Sequence, residues 1–416
     1  MQARGQQHRG KRHHLPGRGH PGTCSRGRGR YYRVDCYHGR APENVPAGAF
    51  LKRGRVRDTA NNLTITRAVP ADYEPLLRFL DRCFDKPGKR WFHIYYGHIH
   101  RRAHPYIDRF ILARKAGAIA GCIGIFPFDL KVGTAVLSTA GIGSVAAHPA
   151  MREQGIMSRL LIEAQAALNR GGYDLSWLAG DRCRYRNYGW DLGGRRVLYT
   201  VRLRDLIRYE TRPPRLRVHQ VPARAAHEPA RLYGKFETGV VRDRARWRDL
   251  RRRKWYRPVI AESRRGRAYM VAGEHRDGWV PEIQGEPRTA LGLLVRHMKK
   301  THQDKVTVEY PYARDALAQA LHHAACSCVM HDRNQIKVCN VDAAWKKLLP
   351  EMRKRHARAR GPLRGALDAV RHTGDRKILL DRLLGFHDTL PVFPEKLARF
   401  EFLRPLGWWM SEYDSV

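Results

Sequence analysis

The sequence predicts an α/β (α+β) fold with a mixed central sheet, and three features carry that expectation. Residues 63–69 alternate apolar and polar as a half-buried strand and lead into a helical pattern. Residues 109–115 and 118–126, separated by Ala116-Gly117, read as a hairpin. A long strand over 134–147 passes through His148-Pro149 into an amphipathic helix over 155–170.

Each element has a local cause. Asp72 precedes Tyr73-Glu74-Pro75 as a helix start, and Leu76, Leu77, Phe79, Leu80 and Phe84 follow at helical spacing. An aromatic helical segment spans roughly 91–100. The helix over 155–170 ends at Gly171-Gly172, which suit a C-cap, and strands follow over 173–179 and 196–203. Beyond Asp205 the signals weaken, and Pro213-Pro214 marks a boundary. Strands over 259–262, 268–273, 280–283 and 306–308, with helices over 289–299 and 313–325, repeat the earlier rhythm without its glycine-bearing turn. Asn340-Val341-Asp342 opens a third unit, with helices over 343–355 and 377–385 and an apolar, aromatic tail over 400–416.

The chain has 416 residues, 79 Lys+Arg against 39 Asp+Glu, and a formal charge of +40. Such a charge first suggests nucleic acid. Most of the basic residues are Arg, however, a skew that GC-rich coding produces without a ligand, and no basic stripe stands out, so nucleic acid is not expected as the main partner. The longest apolar run, 116–126, has eleven residues, short of the roughly 18–20 that span a bilayer, so no membrane segment is expected. Nine Trp and eighteen Tyr argue against a disordered polycation. The eight Cys show no disulfide rhythm, and no apolar segment follows the basic start as a secretory signal requires, which points to a reducing cytoplasm. Residues 1–60, basic and rich in Gly and His, lack any apolar period and read as a disordered extension.

The informative segment is Gly141-Ile-Gly-Ser-Val-Ala-Ala-His-Pro-Ala-Met-Arg-Glu-Gln-Gly-Ile-Met-Ser-Arg-Leu-Leu161, a strand, a tight turn and the first turns of a helix. Unpaired N–H groups and the positive dipole end at such a helix N-terminus bind phosphate oxygens. This loop resembles the Arg-x-x-Gly-x-Gly/Ala loop of the GNAT superfamily of N-acetyltransferases, with Met157 where Gly or Ala is usual. A second segment, Leu178-Ala-Gly-Asp-Arg-Cys-Arg-Tyr-Arg-Asn-Tyr-Gly-Trp190, is similar to the Tyr-x-x-(aromatic)-Gly-(aromatic) stretch after the fifth strand of those enzymes. Together with the chain length, these features resemble the Eis-like (enhanced intracellular survival) branch.

The resemblance implies a GNAT fold, a second degenerate GNAT-like domain and a small sterol-carrier-like C-terminal domain. The corresponding divisions are a basic extension at 1–60, a catalytic domain at 61–204, a GNAT-like domain at 205–335 and a C-terminal domain at 336–416. It implies acetyl-CoA as co-substrate, held by Val145, Ala146 and Ala147 on the strand, by Arg152, Glu153, Gln154, Gly155, Ile156, Met157 and Ser158 at the phosphates, and by Gly180 and Asp181 beside the pantetheine. Tyr185 takes the family's general-acid position; a phenol can protonate the departing thiolate. Many GNAT enzymes carry a Glu base on the fourth strand, yet residues 136–150 contain no Asp, Glu or Lys, and His148 is the only titratable side chain there. Eis-like enzymes use the terminal carboxylate instead, which here belongs to Val416. The implied reaction is transfer of acetyl to a primary amine, on a small molecule or a protein lysine, by direct attack in a ternary complex. Eis-like proteins also tend to assemble, so the resemblance makes a homo-oligomer one option, and the residues leave the oligomeric state open. The alternative is an inactive scaffold that binds nucleic acid or senses acyl-CoA.

Two other stretches draw attention. His322, His323, Cys326, Cys328 and His331 have the chemistry for zinc, but the spacing lacks a Cys-x2-Cys knuckle, so no metal is expected and the Cys-x-Cys pair reads as core. The basic stretch 242–254 reads as a solvated helix face over a stripe of Val241, Trp247 and Leu250.

Overall fold

The computed structural model describes residues 56–58, 62–84, 91–209, 214–221, 227–273, 278–331, 334–357, 367, 369–385, 397 and 408–416. β1 (Val56–Asp58) and β2 (Leu63–Arg67) pair antiparallel, with Val56 opposite Ile65. β1 falls inside the stretch read from sequence as an extension; backbone pairing needs no apolar period, so no pattern announces it. The rest of 1–60 lies outside the described residues. α1 (Tyr73–Cys83) buries Leu76, Leu77, Phe79 and Leu80, and α2 (Trp91–Tyr95) is shorter than the sequence suggests, giving way to a turn before His100. β3 (Phe110–Lys115) and β4 (Ala118–Val132) make the expected hairpin. β4 outruns its predicted end at residue 126 because Phe128, Leu130 and Val132 continue the buried alternation beyond Pro127.

β5 (Ala135–Ala147) returns antiparallel along β4 and leads to α3 (Ile156–Arg170). The helix crosses over to β6 (Leu175–Leu178), which lies parallel to β5. α4 (Arg182–Arg186) and β7 (Asp191–Leu192) complete this region. The chain then lays down β8 (Arg196–Arg202), α5 (Leu203–Tyr209), β9 (Arg217–Gln220), α6 (His227–Tyr233), β10 (Thr238–Val240), α7 (Arg244–Leu250), β11 (Tyr256–Ser263), β12 (Gly266–Gly273), β13 (Trp279–Gly285), α8 (Pro287–Lys300), β14 (Lys305–Pro311), α9 (Ala316–Ala324), β15 (Ala325–His331), β16 (Gln335–Val338), α10 (Val341–Ala357) and α11 (Thr373–Leu384).

Two sheets result. The first has the order β1-β2-β3-β4-β5-β6-β16-β7, with β10 beside the far end of β4; the second has the order β15-β8-β14-β13-β12-β11-β9. The second repeats the path of the first: an antiparallel meander, a helix (α8) and a parallel strand, β14 beside β13. β8 lies inside the span 61–204 yet pairs in the second sheet, and β16 returns from the far side of that sheet to pair between β6 and β7. Which sheet a strand joins depends on long-range backbone pairing, to which local pattern is blind.

Residues 408–416 are the joint between the two sheets. Trp409 and Tyr413 belong to the core of the second sheet, while Trp408 and Met410 pack with Leu175, Trp177, α10 and α11 on the first. The charges around this segment are buried too. Arg242 donates from Nε to both Asp414 carboxylate oxygens at 3.1 and 3.0 Å, donates to Glu282 on β13, and is fully buried. Arg246 adds a contact to Asp414 at 3.2 Å. Arg253, also fully buried, donates from Nη1 to the carbonyls of Glu412 and Tyr413, each at 2.7 Å. The stretch 242–254 is therefore not a solvated face at these two positions: Arg242 and Arg253 point inward because the tail brings carboxylates and carbonyls to meet them.

Replacing Arg242 with Met leaves Glu282 buried without its cation and Asp414 with Arg246 in place of two guanidinium groups. Removal of one partner from such a set costs about 3–5 kcal/mol, and urea unfolding of the variant is expected to show a loss of that order.

Candidate functional site

The site forms where β5 parts from β6. The parallel register runs from Thr139 opposite Leu175 to Ile142 opposite Leu178 and stops there. β5 continues to Ala147, so Val145, Ala146 and Ala147 have β4 on one side and, among the described residues, no strand on the other. This stretch is also bulged: Gly143 pairs with Gly124 and Ala146 with Cys122, so three steps on β5 match two on β4. Ser144, inside the bulge, has φ +52°, the left-handed region that few non-glycine residues occupy. The Cys122 thiol donates to the Ser144 carbonyl at 3.1 Å.

Beyond the bulge, His148 spends Nδ1 accepting the Ala150 N–H at 3.2 Å, capping the turn Pro149–Met151. Glu153 and Gly155 take positive φ, +66° and +71°, which curl the chain into α3. Gly155 is the N-cap, and no side chain caps the helix. A Cβ added to Gly155 would meet nothing within 4 Å. Arg152, Glu153 and Gln154 are exposed and Met157 and Ser158 half-buried around this open end. The counterpart in the second sheet is closed: Glu286 accepts from the N–H groups of Arg288 and Thr289 at 3.2 and 2.7 Å, filling the start of α8 with its own carboxylate. Of these two helix starts, α3 alone presents free donors to an outside anion.

Past β6, the Asp181 carboxylate caps α4 through the Cys183 N–H at 3.0 Å, and the Gly180 carbonyl accepts from Gln335 at 2.8 Å. Tyr185 is buried in the core beneath α3, its ring against Gly180. Burial raises its phenol above the ordinary range, with Arg184 opposing and Asp181 reinforcing. The group is therefore protonated at neutral pH and able to donate.

Val416 lies on the other flank of the same strand. A Cβ at Gly143 would fall 2.6 Å from the Val416 carbonyl carbon, and one at Gly141 2.6 Å from its Cγ2. The two glycines thus make the seat of the last residue, a contact no sequence pattern announces. His98, fully buried, approaches the Ser415 carbonyl at 3.1 Å through Nε2. His100 approaches Ser144 Oγ at 3.1 Å through the same ring atom. Sequence reasoning did not single out His98, His100 or Ser144. The signal was present only as a Gly-His-Ile-His turn and a serine among glycines.

Elsewhere, Cys326 and Cys328 are exposed on β15, not in the core, because β15 is the edge strand of its sheet, paired on one side with β8. Cys328 Sγ lies 3.5 Å from His322 Nδ1. Among the described residues one His/Glu trio converges, His219, Glu228 and Glu262, and Arg267 already pairs with both carboxylates. No helix among the described residues is long and apolar enough to cross a membrane.

Comparison with known proteins agrees with this geometry. Residues 64–193 match the family model of the acetyltransferase (GNAT) domain, which ends just before β8 leaves for the second sheet. Among solved structures, the chain is similar to a probable N-acyltransferase from Enterococcus faecalis, with a TM-score of 0.56 and 16% identity over 68% of this chain and 75% of that one. A GCN5-related N-acetyltransferase from Anabaena variabilis gives 0.54 and 19% over 68% and 75%. One from Kribbella flavida gives 0.52 and 18% over 68% and 71%. At these identities the likeness is one of fold. No curated protein matches the sequence.

His98 also yields a pH expectation. Burial first, then Arg253, Arg246 and His100, hold its pKa well below the ordinary histidine value. The unfolded chain binds that proton more readily, so the stability contributed by neutral His98 is present above about pH 6.5 and is lost as pH falls toward the folded-state value. Melting temperature should fall more steeply between about pH 7 and 5 in the wild type than in His98→Gln.

Proposed function

We propose that this chain is an acetyl-CoA-dependent N-acetyltransferase of the Eis-like kind, acting on a primary amine by direct transfer. The observation that carries the proposal is the uncapped start of α3, set beside a strand end that has parted from its parallel neighbour. Anionic phosphates suit the N–H groups at the start of α3, and a pantetheine amide suits the backbone edge of Val145–Ala147 that faces away from β4. Asp181 and Gly180 flank the same opening in this reading.

In the proposed reaction the neutral amine attacks the thioester carbonyl carbon, and the carbon–sulfur bond breaks as the tetrahedral intermediate collapses. Tyr185, kept protonated by burial, gives its proton to the departing thiolate. The terminal carboxylate of Val416 takes the proton the amine loses. The docking of residues 408–416 beside Gly143 supports that role, and desolvation would raise the carboxylate's basicity. The acceptor is a small amine or a protein lysine, and the cytoplasm is the expected compartment. Assignment of the second sheet to a degenerate GNAT-like domain and of residues 336–416 to a sterol-carrier-like domain belongs to the same reading, supported for the former by the repeated strand path.

Coenzyme A should raise the melting temperature of the wild type in a saturable way and fail to do so for Arg152→Glu; equal protection in both would remove the phosphate site. Tyr185→Phe is expected to lower kcat by about 10²–10⁴-fold with little change in acetyl-CoA affinity, as loss of a general acid does. Two residues added after Val416 should abolish turnover while leaving coenzyme A binding intact. Binding without transfer to any amine in a thiol-release screen would favour the acyl-CoA-sensing alternative.

A further inference from the structure

The turn between α2 and β3 holds two buried histidines, two residues apart, each gripping a different side of the site. His98 is 3% exposed, and its Nε2 lies 3.1 Å from the Ser415 carbonyl oxygen. A carbonyl only accepts, so Nε2 carries the hydrogen. His100 is 2% exposed, and its Nε2 lies 3.1 Å from Ser144 Oγ at the left-handed residue of the bulge. The turn itself is fixed: Ile99 and His100 donate their N–H groups to the Tyr96 carbonyl at 2.9 Å each, and Tyr73 donates to the His100 carbonyl at 3.2 Å. The His100 ring packs between Phe92 and Phe110, with centroids 5.3 and 5.2 Å away.

We infer that His98 and His100 form a positioning clamp that registers the carboxyl-terminal segment against the bulged strand. His98 acts through Ser415 to hold Val416 over Gly143. His100 acts through Ser144 to hold the bulge that turns the backbone of Val145–Ala147 toward the opening beside β6. One rigid turn thereby sets the distance between two parts of the chain that are more than 250 residues apart in sequence. The inference rests on the acetyltransferase reading above for its catalytic consequence, though not for its geometry.

The two arms separate by what they move. His98→Phe should lower kcat by at least about tenfold and leave the dissociation constant of coenzyme A within about twofold, because misplacing a reacting group affects turnover first. His98→Gln, which keeps a donor at similar reach, should recover most of the loss. Ser144→Val, which resists positive φ, and His100→Phe should weaken coenzyme A binding by about tenfold in calorimetry. Ser144→Gly should restore it, since glycine takes the bulge conformation without the hydrogen bond. A readout free of activity is carboxypeptidase release of Val416, expected to accelerate in His98→Phe and to stay at the wild-type rate in Ser144→Val. Parallel changes in kcat, binding and tail release across all variants, or no change in any, would overturn the clamp. If the wild type itself fails to bind coenzyme A, the acetyltransferase reading falls, and the tail-release comparison still decides whether His98 holds the segment.

Discussion

The burial of one guanidinium determines how this protein closes. Arg242 sits between Asp414 and Glu282 with its side chain fully out of water and stacks over Tyr233 at 3.8 Å. Charges removed from water are costly unless they are paired and hydrogen-bonded, and a cation with two carboxylates is stable only in one arrangement. That arrangement requires the last residues of the chain to lie between the two sheets. Arg253 completes the constraint by binding main-chain carbonyls of the same segment, so the backbone as well as the side chains is held. The ion set thus specifies a position; the energy of docking comes from Trp408, Trp409 and Tyr413, which fill the cores of both sheets.

Once the segment is placed, the glycines of β5 acquire a reason. Gly141 and Gly143 leave the volume in which Val416 rests, and any side chain there would occupy it. The same strand loses its parallel neighbour after Ile142, bulges at Ser144, the residue after Gly143, and leads into an uncapped helix. A single strand therefore carries three local irregularities in sequence: a seat for the tail, a re-aimed backbone and an open helix start. The second sheet has the same path, and its β13 too is bulged against β12 between Trp279 and Glu282, but its helix start is plugged by Glu286. Repetition of a topology does not repeat a site; the site depends on which donors are left unsatisfied.

The net charge of +40 looked at first like a clue to an external partner. Some of the arginines are internal instead: Arg196 pairs with Glu309 and Arg242 with Glu282 and Asp414, sets that add nothing to the net charge, and Arg253 lies on main-chain carbonyls, all out of solvent. Arginine suits these positions because its planar, always-charged fork can satisfy several acceptors at once. Arginine content here thus serves cohesion around the carboxyl-terminal segment as well as surface solvation.

Local sequence determined the elements with local causes. The hairpin around Ala116-Gly117, the strand into α3, and helices α1, α3, α8 and α9 were legible, because periodicity and turn chemistry act within a few residues. The tight turn from β5 into α3 was legible as well, since a motif of this kind is contiguous; its reading as a phosphate loop and the role of Tyr185 belong to the proposal. Sheet membership of β8 and β16, the inward aim of Arg242 and Arg253, the exposure of Cys326 and Cys328, and the pairing of His98 and His100 with Ser415 and Ser144 were decided only in three dimensions. Each of these depends on a partner far along the chain, and a residue's own neighbours carry no record of which distant carboxylate, carbonyl or strand edge will be brought against it.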